Sequence, residues 1–102
     1  MARKVIWSDD AIADLAAIVR HIAADNPSAA LKTGQAILDS TRLLGEFPLA
    51  GRVLPEEGKE TVREVIHASY RVIYELSGSD TAVVLRVWHA ARGKPRAGGI
   101  AG

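Results

Sequence analysis

The chain has 102 residues, 48% of them hydrophobic and 25% charged, with a formal net charge of +1. That length holds one domain around a single core, and that composition argues against wholesale disorder. The absence of cysteine excludes disulfides, thiolate zinc sites and cysteine nucleophiles.

From the N-terminus, Lys4-Val5-Ile6-Trp7 is short, apolar and β-prone. Ser8 then supplies an N-cap, with Asp9 and Asp10 in the first turn, where negative charge suits the helix dipole. Ile12, Leu15, Val19 and Ile22, joined by Ala16 and Ala23, recur at three and four residues and predict one apolar helical stripe, with Asp14, Arg20 and Asp25 off it. Asn26-Pro27 ends that helix and caps the next. The second helix is expected to bury Ala30, Leu31, Ile37, Leu38, Thr41 and Leu44, and its mid-helix Gly34 points to a close approach of the two helices. An antiparallel helical pair follows. The stretch from Glu46 through Pro55 and Gly58 predicts a surface loop.

Three β-like runs complete the pattern: Thr61 to His67, Tyr70 to Leu76, and Thr81 to His89, the last two joined by Ser77-Gly78-Ser79-Asp80. An antiparallel meander is the natural topology. The fold class is therefore α+β: an N-terminal strand, a two-helix hairpin and a three-strand meander, with the helices on one face of the sheet. One domain is expected over residues 1–92. Residues 93–102, with four glycines and Pro95, are expected to be a flexible basic tail.

Charge is unevenly placed. Residues 1–60 hold seven basic and nine acidic side chains, residues 61–102 six and three, and no acid follows Asp80. Alternation in the second of the three runs sets Tyr70, Val72, Tyr74 and Leu76 on the core side, with Arg71, Ile73 and Glu75 opposite. The second face should then carry Arg71, Glu75, Arg86 and Trp88 into a half-exposed concavity. Its arginines are expected to be free to meet a partner, although Arg71 with Glu75 would equally make a surface ion pair and a tryptophan ending a buried strand, as Trp88 does, is usually core. The histidines His21, His67 and His89 lack metal-ligand spacing, and no glycine-rich nucleotide loop is present, so neither metal nor cofactor is expected. The longest strictly apolar run, Leu15 to Val19, is far too short to cross a membrane, and the basic start lacks an apolar stretch of signal length. A cytoplasmic protein without membrane contact is expected.

Four features taken together, Asn26-Pro27 with Ala30, Phe47-Pro48 with Gly51-Arg52, Tyr70-Arg71 with Tyr74, and Leu85-Arg86-Val87 with His89 and Arg92, resemble the RelE/ParE superfamily of toxin–antitoxin toxins. The likeness covers nearly the whole chain. It implies a cognate antitoxin whose C-terminal segment folds onto the toxin as helix and strand. RelE-like members are ribosome-dependent mRNA endoribonucleases, and on that branch Arg71, His89 and Arg92 would be catalytic. Val62 and Glu64 stand about where those enzymes carry lysines, however, and no tyrosine or histidine follows Arg92. ParE-like members are similar in the longer helical hairpin, the Phe-Pro-x-x-Gly turn and the Leu-Arg-Val-x-His ending. That branch implies inhibition of DNA gyrase by protein binding, with no catalytic set, and with Arg63, Arg71, Arg86, Trp88, Arg92 and Lys94 as candidate partner contacts.

Overall fold

The computed structural model describes residues 2–90. Strand β1 (Lys4–Trp7) leads directly into α1 (Asp9–Ala23), and α2 (Pro27–Glu46) follows. Both predicted caps form: the Ser8 side chain accepts the Ala11 N–H, and the Asn26 side chain accepts the Ala29 N–H, with Pro27 opening α2. The helices touch closely at Gly34, where a Cβ atom would lie 3.2 Å from Val19 Cγ2.

The sheet has five strands in the order β1-β5-β4-β3-β2. Strands β3 (Val62–His67), β4 (Tyr70–Ser77) and β5 (Thr81–His89) form the expected antiparallel meander. β1 extends it by pairing parallel to β5, from Lys4 opposite Thr81 to Trp7 opposite Val84. The segment expected to be all loop also contributes: β2 (Arg52–Val53) pairs with β3, and a 3-10 turn covers Pro55–Glu57. A two-residue strand is too short for alternation to reveal it.

The helices cover one face. Ala11 and Ile37 pack on Val72, Val84 and Val87, and Leu44 packs with Tyr74 and Ala82. Each large apolar side chain removed from water here contributes roughly 1.5–3 kcal/mol. Leu31, expected in this core, is instead 76% exposed, because α2 turns its Ala30–Gly34–Ile37 stripe inward and leaves Leu31 outside it. The α1 stripe is rotated as well: Ala11 is fully buried, whereas Ile12 is 54% exposed.

The second face is not open throughout. Leu54, Val62 and Ile73 form a small core of their own, against which Leu85 and Trp88 pack. Strict alternation in β5 fails at a bulge: Ile73 pairs with Arg86 and Tyr74 with Val84, so Leu85 is the extra residue. The bulge explains why Val84 and Val87, three residues apart, both face the helices. No helix among the described residues is long and apolar enough to cross a membrane.

Candidate functional site

Three consecutive strands place Ile66, Arg71 and Trp88 in one row on the face away from the helices, since Ile66 is the register partner of Arg71 and Arg71 that of Trp88. Ile66 is 65% exposed. Here the sheet face is uncovered, beyond the reach of the segment that carries Leu54.

The arginines on this sheet are tied to internal acceptors, contrary to the expectation of free cations. Arg71 meets Glu64 through Nε, 3.0 Å from Oε2, and again through Nη2. Glu64, not Glu75, is therefore its partner; in the register Glu64 faces Ile73, diagonally adjacent to Arg71. The Glu64 side chain is wholly buried and Arg71 is only 15% exposed, whereas Arg52, which adds a further contact at 3.3 Å from β2, is largely in solvent.

Arg86, the register partner of Ile73, reaches to the sheet margin. Its Nε and Nη2 donate to the two oxygens of Asp14 on α1, at 2.7 and 3.0 Å, and its guanidinium lies 5.2 Å from the Trp88 ring centroid. The bond to Asp14 raises the Arg86 pKa further, outweighing its desolvation. Asp14 also accepts the Val87 N–H, and Ser8 Oγ donates to the Leu85 carbonyl, so α1 and its cap satisfy β5 backbone groups beyond the end of β1. Arg63 lies on the helix side, opposite Arg71, because adjacent strand residues alternate. It donates to the Gly51 carbonyl at 2.8 Å, and its Nε is buried without a hydrogen-bond partner.

His89 packs edge-on against Tyr70, with ring centroids 5.1 Å apart. Both line a cavity of about 500 Å³ with Asp14, Ile18 and His21, on the helix side of the sheet and thus away from Arg71. The structure thus does not bring Arg71 and His89 to one point. Arg92 and Lys94 lie outside the described residues. Among those described, no group of three or more His, Cys, Asp or Glu residues is arranged to hold a metal ion.

A second surface, between the helices, is apolar. Trp7, Ile12, Leu15, Ala16, Val19 and Leu38, with Arg20 at hand, line a groove of about 590 Å³. Ile12, Leu15, Ala16 and Val19 belong to the apolar stripe expected from the sequence, and Leu38 to the residues α2 is expected to bury; the α1 rotation turns part of that stripe outward. Glu64 is the other residue whose role was missed. Its signal was present, since it shares the strand phase of buried Val62, and a carboxylate in an apolar phase requires a cation.

The family model for the ParE toxin of the type II toxin–antitoxin system parDE matches residues 5–93. Among solved structures, the chain is similar to one in the chromosomal ParDE system from P. aeruginosa, at 25% identity and a TM-score of 0.72, covering 86% of this chain and 96% of that one. It is similar in fold to a chain of the RelBE2 toxin–antitoxin complex from Mycobacterium tuberculosis, at 23% identity and a TM-score of 0.66, covering 87% and 99%. No curated protein matches the chain significantly.

Proposed function

Because the chain belongs to the ParE toxin family of type II toxin–antitoxin systems, we propose that it acts in the cytoplasm by binding DNA gyrase and that a cognate antitoxin holds it inactive. The observation that carries the choice of a protein target is the pairing of Arg71 with buried Glu64. Cutting RNA through its 2′-hydroxyl needs a proton acceptor, a proton donor and cations available to the phosphorane. Here the arginine best placed for that task already has a carboxylate, and His89 faces the other side of the sheet. A protein-binding surface needs apolar anchors around satisfied polar groups, and Ile66 and Trp88 flank the Arg71–Glu64 pair in that manner.

The groove between the helices suits the antitoxin. Its apolar lining fits one face of an amphipathic helix, and both similar structures are toxin–antitoxin complexes. In this reading the antitoxin helix and the target use separate surfaces, and the antitoxin inactivates the toxin by continuing from the groove over the sheet.

Expression of the toxin without antitoxin, followed by assay of purified gyrase, tests the proposal. Gyrase-linked DNA breaks and inhibited supercoiling, with messenger RNA intact, are expected. Cleavage of translated messages without DNA damage would overturn it in favour of the endoribonuclease branch.

A further inference from the structure

A buried ion pair is weak evidence for stability, because desolvating two charges commonly cancels their attraction. The Arg71–Glu64 pair lies beside the uncovered part of the sheet, where an apolar pair of similar volume would have served the core as well. Its effect is chemical. Arg71 and Arg52 converge on one acceptor, and that acceptor is the chain's own carboxylate, wholly buried at the point where the two guanidinium groups meet.

We infer that Glu64 is a specificity residue: its carboxylate occupies an oxyanion site made by Arg52 and Arg71, masking a phosphate-binding face and so excluding nucleic acid. Binding to a phosphate backbone depends on cations that exchange their counterions for phosphate. Arg71 directs Nε and Nη2 at Glu64, so the carboxylate already neutralises the charge that a phosphate would otherwise draw on. A phosphate at that position would also meet a fixed negative charge, a repulsive element of the kind that specificity requires. Arg52 remains largely exposed, but its nearest charge is the same carboxylate. The inference deepens the protein-target reading above and is tested independently of gyrase.

The isosteric Glu64→Gln keeps the side-chain shape and removes the charge. Its affinity for a fluorescent single-stranded oligouridine RNA, measured by anisotropy at about 50 mM salt, is expected to exceed that of the unmodified protein roughly threefold to tenfold. The gain should fall as salt rises and disappear in Glu64→Gln/Arg71→Met. A folded Glu64→Gln that binds RNA no more tightly, or a gain that survives loss of Arg71, would overturn the inference. A second measurement needs no variant: RNA is titrated into the unmodified protein while the Arg71 Nε–Hε resonance is followed. The inference expects that resonance to stay in place, and a saturable shift would sink it. Failure of the protein to inhibit gyrase would sink the target assignment while leaving both RNA measurements intact.

Discussion

Asp14 and Arg86, 72 positions apart in sequence, meet in a two-pronged ion pair that fastens α1 to the bulged margin of β5. The same carboxylate takes the Val87 N–H. An arginine that stands out in the sequence as a partner contact thus closes the fold. With the Arg86 and Asp14 side chains 18% and 13% exposed, the pair is partly protected from solvent screening.

Asp14→Ala is expected to lower unfolding stability by about 2–4 kcal/mol, because it leaves the Arg86 charge and a strand N–H without their acceptor. Combined with Arg86→Ala, the losses should fall short of additivity by about 1–3 kcal/mol. Urea denaturation of the single and double variants measures this coupling, and strictly additive losses would contradict it.

Tyr74 is fully buried, and its hydroxyl donates to the Pro48 carbonyl at 2.7 Å and accepts the Gly51 N–H at 2.9 Å. Desolvation raises its pKa above the usual 10.0, against the smaller opposing effects of the Gly51 hydrogen bond and of Arg63. The unfolded chain therefore loses this proton first. The stability is fully present below pH 10.0 and falls as pH rises from there through the folded-state value. Tyr74→Phe should cost about 1–2 kcal/mol at neutral pH and remove part of the alkaline decline. Denaturation midpoints measured from neutral pH into the alkaline range would show an unchanged decline if this view were wrong.

Ala68, in the turn between β3 and β4, has φ 52°, a left-handed conformation that a Cβ atom disfavours. It is exposed, so no packing is lost on removing its methyl group. Ala68→Gly is expected to stabilise the protein by about 0.5–1 kcal/mol, once the greater freedom of glycine in the unfolded chain is set against the relieved strain. Thermal unfolding reads the sign directly; a lower midpoint would show that strain here is negligible.

Ile12 is half-exposed at the groove between the helices. Placing a carboxylate there, as Ile12→Glu, should leave the unfolding midpoint nearly unchanged and weaken antitoxin binding at least tenfold, about 1.4 kcal/mol. Titration calorimetry with the cognate antitoxin is the decisive measurement. Unchanged affinity would move the antitoxin to another surface.

Much of the fold was legible because its signals are local. Ser8 and Asn26-Pro27 mark the helix starts through backbone groups only three residues away, and Gly34 marks the helix contact because a Cβ there would crowd Val19 Cγ2 at 3.2 Å. β2 was not legible, being two residues that become a strand only because β3 lies alongside. Neither was the β5 bulge, which the run Ala82-Val83-Val84-Leu85 conceals by being apolar in both phases.

The candidate site divides along the same line. Sequence by itself determined which residue types the sheet carries and the phase of β4, so Arg71 was correctly set opposite Tyr70 and Val72. Only the tertiary structure decided that Arg71 meets Glu64 from the neighbouring strand and Arg86 meets Asp14 from a helix, leaving Ile66 and Trp88 beside an internally neutralised pair. The physical reason is that alternation and helical period fix the direction of a side chain relative to its own element. Whether a charge is free depends on which element is brought against it, and that follows from register and packing across the whole chain.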